Sequence, residues 1–113
     1  MPYINYKYAD EVFTVICNRD TALDDYTKLV SVPYIAETLG ITKYRVRKAI
    51  DHLKFLGYIA SDCESCYDVY QDRYVIVRGY VVTKSGRNTE IYRKAAAEEE
   101  KIRNEFFCAS FYD

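Results

Sequence analysis

The sequence predicts an α+β domain: a helix, a short strand, two helices joined by a tight turn, a β-hairpin and a long C-terminal helix. Three observations predict it. Helical periodicity flanked by capping residues occurs twice between Ser31 and Gly57. The pattern then changes to β-branched and aromatic runs that continue to Val82. Strong helix formers return with Ala95-Ala96-Ala97 and the acid/base alternation after it. At 113 residues the chain is expected to be a single domain, 1–113, with room for one core.

Each element has a local reason. Tyr8, Val12, Val15 and Ile16 share one helical face, so residues 8–18 read as an amphipathic helix. Residues 18–27 are polar and read as a connection, and Lys28–Val30 as a very short strand. Ser31 is a good N-cap, and Pro33 is tolerated in the first turn of a helix ending at Leu39. Gly40 suits a left-handed helix end. Thr42 caps the next helix, which runs to about Leu56 and is closed by Gly57. Strand signals follow at Tyr58–Ala60, Tyr67–Tyr70 and Tyr74–Val82, with Gln71-Asp72-Arg73 as the hairpin tip. Gly79 is expected to mark a bulge or a second tight turn. Thr83 then caps a final helix from Lys84 to about Cys108, with Ile91, Ala95, Ile102 and Phe106 as its apolar stripe.

Composition narrows the function classes. Half the residues are hydrophobic and 29% are charged, which fits a folded chain rather than a disordered one. There are 13 tyrosines and no tryptophan; tyrosine suits a small core, a dimer interface or a nucleic-acid surface. The N-terminal stretch carries no signal-peptide pattern, and no apolar run approaches the roughly 20 residues of a membrane span. The expected address is cytoplasmic, with no membrane partner.

The cysteines at 17, 63, 66 and 108 are expected to be reduced. Cys63 and Cys66 form a CxxC, half of a zinc site or a redox pair. A second CxxC is absent and the one histidine, His52, sits on a helix flank, so no metal site is expected and the pair reads as inert loop cysteines. Cys17 and Cys108 read as small buried hydrophobes. With no Gly-rich phosphate loop, no HExxH and no nucleophile beside a base, neither catalytic residues nor a cofactor are expected. Glu98-Glu99-Glu100 reads as a solvated helix face.

The net charge of −1 conceals segregation. Residues 1–25 carry −3, 26–60 carry +4, 61–72 carry −4, 73–94 carry +5 and 95–113 carry −3. Two basic blocks between acidic ones describe a polarised surface. Within the first, Val46 centres the core face of the 42–56 helix at 100° per residue, with Ala49, Ile50, Leu53 and Gly57 within about 60° of it. Arg47 and Lys54 flank one side, Arg45 and His52 the other; Tyr44, Lys48 and Phe55 lie opposite. The first two turns therefore present Lys43, Tyr44, Arg45, Arg47 and Lys48, and the first acid is Asp51. A helix solvated for its own sake usually interleaves Glu with Lys four residues on. Positive charge at a helix N-terminus is also disfavoured by the dipole, which points to an external anion.

Residues 32–53, with Ala36, Leu39, Gly40, Ile41 and Val46 at their spacing, resemble the helix-turn-helix core of bacterial transcription regulators. "GYI" after the second helix and "YVVTKSGR" before the last one extend the resemblance, over roughly residues 28–90, to winged-helix regulators of the MarR and PadR type. The resemblance implies a winged helix-turn-helix fold, with residues 28–83 forming the helix-turn-helix and wing, and 1–20 and 84–113 as flanking helices. It implies sequence-specific duplex-DNA binding with the 42–56 helix in the major groove. Lys43, Arg45, Arg47 and Lys48 are then candidates for bases or phosphates, Tyr34 and Thr42 for phosphates, and Tyr44 for a thymine methyl. Arg73 at the hairpin tip, with Arg78 behind it, would be the wing's contacts. "SDCESCYD", 61–68, is acidic and longer than a simple wing needs, so it should point away from DNA or meet a partner.

By the same resemblance the first and last helices form a homodimer, although Phe106, Phe107, Phe111 and Tyr112 can equally pack on the chain's own first helix. A dimer would place its recognition helices roughly 34 Å apart on a palindromic site. The expected role is transcriptional regulation, by repression. A small-molecule effector has no residue set to argue for it. A protein-interaction module and a replication or partition factor of a mobile element stay open as alternatives.

Overall fold

Five helices and one antiparallel hairpin make up the described part of the chain. The structure is a computed structural model describing residues 7–24 and 26–112, with side chains as far as Glu105. The order is α1 (Ala9–Thr21), α2 (Val32–Leu39), α3 (Lys43–Phe55), β1 (Ile59–Asp68), β2 (Arg73–Val82), α4 (Lys84–Arg87) and α5 (Glu90–Tyr112). The α+β class is as predicted. No helix among the described residues is long and apolar enough to cross a membrane.

The core is organised around α1, which buries Ala9, Val12, Phe13, Val15, Ile16 and Cys17. Burial on more than one face follows from its neighbours: α5 packs along it on one side, and α2, α3 and β2 on others. The Phe13 ring stacks on Tyr58 with centroids 5.8 Å apart. The helix runs three residues past the predicted end because its polar last turn is anchored by tertiary contacts, Asp20 with Tyr92 among them.

The two-helix unit forms as its caps dictate. Ser31 Oγ accepts the Tyr34 N–H at 3.3 Å, and Thr42 Oγ1 accepts the Arg45 N–H at 3.3 Å. Gly40, at φ 67, takes the left-handed conformation that ends α2 and returns its N–H to the Ala36 carbonyl. Ile35 and Ala36 of α2 then meet Val46, Ala49, Ile50 and Leu53 of α3 in the core.

The hairpin differs from expectation. β1 runs unbroken through the acidic segment, in register from Ile59↔Val82 to Asp68↔Arg73. The tip is therefore Val69–Asp72, and Arg73 is the first residue of β2. Asp68 Oδ1 accepts the Tyr70 and Gln71 N–H groups and Asp72 adopts a positive φ of 53, which together close the turn. Gly79 marks neither a bulge nor a turn: it pairs with Asp62 in the continuous ladder. A Cβ there would stand 2.9 Å from the Val30 carbonyl, so the glycine admits a neighbouring backbone. The predicted strand at Lys28–Val30 shrinks to one bridge, in which Val30 and Tyr80 exchange both backbone hydrogen bonds.

The final helix is two helices. Thr83 Oγ1 accepts the Gly86 N–H and donates to the Gly57 carbonyl at 2.5 Å, which holds α4 on the base of the hairpin. Thr89 Oγ1 accepts the Tyr92 N–H and so caps α5 separately. Of the predicted apolar stripe, Ala95 is in the core and Ile91 packs against it, but Lys101–Glu105 are exposed, Ile102 among them. The side chains of Phe106, Phe107, Cys108, Phe111 and Tyr112 lie outside the described residues.

Candidate nucleic-acid interface

The exposed surface of α3 is basic over its first two turns. Lys43, Tyr44, Arg45, Arg47 and Lys48 are all exposed, while Val46, Ala49, Ile50 and Leu53 are buried, as the 100° rotation requires. The ion pairs among the described residues are Arg19–Asp24, Arg87–Asp20 and Lys94–Glu90, none on α3. Three of its cations, Arg45, Lys48 and Lys54, meet aromatic rings instead. Lys48 Nζ stands 5.5 Å from the Tyr44 ring and Lys54 Nζ 5.9 Å from that of Tyr80. Thr42 Oγ1 accepts the Arg45 N–H at the helix's own terminus and is exposed.

Arg45 is held from another element. Its Nη1 donates to Tyr8 Oη at 2.7 Å, and its Cζ lies 5.2 Å from the Tyr8 ring centroid. Lys7 Nζ stands 5.3 Å from the same ring. Sequence reasoning assigned Tyr8 only to the core face of the first helix and missed Lys7 and this contact. No local signal could have shown a pairing 37 residues apart.

The remaining candidates divide into two places. Tyr34, 53% exposed, lines a groove of about 270 Å³ with Val30, Val77 and Arg78. A second groove of about 630 Å³ lies between Ser31-Val32-Pro33 and the hairpin residues Ser61, Asp62, Cys63, Arg78, Gly79 and Tyr80. Arg78 borders both. Arg73 is five residues nearer the hairpin tip on β2, about 17 Å at strand rise, and on the opposite face. The two arginines expected to act together are thus separated.

Strand alternation sorts the hairpin's charge. One face carries Ser61, Cys63, Ser65 and Tyr67 opposite Tyr80, Arg78, Ile76 and Tyr74. The other carries Asp62, Glu64, Cys66 and Asp68 opposite Gly79, Val77, Val75 and Arg73. The Tyr67 and Tyr74 rings meet edge to face at 5.3 Å, as residues on one face should. The face that includes Tyr80, beside Lys54 of α3, therefore bears Arg78 and no acid. The acids predicted to point away occupy the other face.

Alternation also disposes of the CxxC. Cys63 and Cys66 belong to β1, not to a loop, and a spacing of three places them on opposite faces. They are not arranged to share a metal or a disulfide. Glu64 accepts from Cys66 Sγ at 3.5 Å; burial foremost, then that carboxylate, raises the thiol's pKa. Cys17 is buried in the core, and desolvation followed by the Asp20 charge pushes its thiol up to about 12. No known family model matches the chain, and no curated protein matches its sequence.

Proposed function

We propose that this protein binds duplex DNA as a winged helix-turn-helix of the MarR/PadR type, with α3 in the major groove and the β1–β2 hairpin as the wing. One observation carries the reading. The first two turns of α3 expose four cations and a tyrosine with no ion-pair partner among the described residues. A surface of that kind, kept at a helix N-terminus against its dipole, suits phosphates and base edges. Lys43, Arg45, Arg47 and Lys48 supply the charge, Tyr44 an apolar contact, Thr42 and Tyr34 phosphate donors, and Arg78 the wing contact. Regulation by repression as a homodimer completes the reading. For the homodimer the support is α5, whose apolar stripe includes an Ile102 that is 52% exposed.

The test is fluorescence anisotropy of the purified chain on random-sequence duplex at several salt concentrations. Binding should weaken with salt at a log–log slope of about −0.9 per phosphate contact. Arg47→Ala and Lys48→Ala should each weaken it. Absence of binding at low salt, or indifference to both variants, would remove the groove-docking reading.

A protein-interaction module is the second reading, and the outer half of the hairpin favours it. Tyr70 is 97%, Tyr74 72% and Ile76 65% exposed there, an apolar surface that phosphate contact does not require. Under that reading the α3 variants leave activity intact.

A further inference from the structure

We propose that Tyr8 is a positioning residue for Arg45, fixing which edge of its guanidinium meets a guanine. The proposal rests on the duplex-binding reading above and assigns specificity within that site.

Tyr8 sits at the N-cap of α1 without using its side chain as a cap. Its ring is partly buried against the core, which leaves the hydroxyl as its working end. That hydroxyl accepts Nη1 of Arg45, the third residue of α3, where a groove-docked helix comes nearest the bases. An unconstrained arginine loses rotamer freedom on ordering, which opposes any contact it makes. Here the structure orders it beforehand. Guanine recognition takes two parallel N–H groups, directed to O6 and N7. With Nη1 engaged by Tyr8, the edge formed by Nε and Nη2 remains to supply them.

The neighbouring cations have no such support. Among the described residues, Lys43 and Arg47 have no side-chain partner, and Lys48 meets only Tyr44 of its own helix. Of the four cations in the first two turns of α3, Arg45 is the one with a side-chain bond to another element among the described residues. Lys43, Arg47 and Lys48 therefore serve the phosphates, and Arg45 reads. The competing explanation is a plain tie between α1 and α3. Removing an exposed polar contact of that kind would change stability slightly and selectivity not at all.

The experiment begins with selection of a random duplex library by the full chain. The enriched duplex, and versions altered one base pair at a time, are then titrated with wild type, Tyr8→Phe, Arg45→Lys and the double variant. Tyr8→Phe keeps the packed ring and removes only the hydroxyl. It should lose about tenfold of the discrimination at one G·C pair per half-site. Affinity for random duplex and the melting temperature should stay at wild-type values. Arg45→Lys should lose discrimination at the same pair, and the double variant little more. Wild-type selectivity in Tyr8→Phe, or losses at different pairs in the two variants, overturns the proposal and leaves duplex binding standing. So does a wild type that binds duplex but enriches no sequence. A wild type that binds no duplex removes the underlying reading as well.

Discussion

The Tyr92 hydroxyl donates to Asp20 Oδ2 at 2.7 Å and joins the last turn of α1 to the first turn of α5. Arg87 approaches the same oxygen with Nε at 3.5 Å. The Asp20 side chain is only 9% exposed, whereas that of Arg87 is 55% exposed. A short bond to a nearly buried carboxylate should outweigh a long ion pair open to water.

The stability ranking follows. Asp20→Ala strands the tyrosine hydroxyl and should cost about 2–3 kcal/mol, Tyr92→Phe about 1–2, and Arg87→Ala less than about 1. Urea unfolding of the three variants measures this directly. An Arg87→Ala loss as large as that of Tyr92→Phe would show that the ion pair, not the hydroxyl, holds α1 to α5.

The same contact makes stability depend on alkaline pH. Burial, then the Asp20 hydrogen bond and charge, pushes the Tyr92 hydroxyl from 10.0 up to about 12. A pKa raised on folding means that the folded state holds the proton more tightly. The contribution is complete below pH 10 and is lost as pH rises towards 12. Wild type should therefore lose its advantage over Tyr92→Phe across that window. An advantage that stays constant or grows would contradict the assignment.

The parts legible in the sequence were those with local causes. The core face of α3 followed from the 100° rotation, and the caps at Ser31, Thr42 and Thr83 each form the bond their residue type suggests. The misreadings have non-local causes. Ser, Asp and Glu are poor strand formers, so 61–66 did not look like β1; cross-strand partners such as Val75 and Val77 hold it there. The glycine at 79 answers to Val30, and Arg45 to Tyr8, contacts that only the folded chain creates. The single helix expected from Lys84 divides at Asn88, where Thr89 caps α5 anew; the run of helix formers from Ala95 onward says nothing about where that helix begins.

Of the four glycines, Gly86 is the most closely approached. A Cβ there would lie 2.2 Å from the Tyr58 carbonyl oxygen and 2.7 Å from a Val82 methyl. Backbone cannot yield as a flexible side chain can, so Gly86→Ala must lift α4 off the hairpin base. At Gly79 the nearest approach is 2.9 Å, to Val30. Both substitutions should destabilise, Gly86→Ala by about 3 kcal/mol or more and Gly79→Ala by about 1–3. Calorimetric melting of the two variants reports the order, and a wild-type melt for Gly86→Ala would refute this packing.

The hairpin's two faces yield a prediction that separates its arginines. Arg78 stands opposite Cys63 on the face shared with Tyr80, and that face carries no acid. Arg73 stands opposite Asp68 on the face that also bears Asp62 and Glu64. Phosphate approaching the first face meets Arg78, with Asp62 only at the rim of the adjoining groove; approaching the second, it meets three carboxylates. If the hairpin is the wing, Arg78→Ala should weaken duplex binding and flatten the salt slope by about one. Arg73→Ala should leave both nearly unchanged, because its position is already repulsive to phosphate. Glu64→Gln should likewise have little effect, since in that docking its face would look away from the duplex. Anisotropy titrations at matched salt decide it. A larger loss for Arg73→Ala than for Arg78→Ala would mean that the acidic face is the one turned to DNA, and the wing would then have to be docked the other way round.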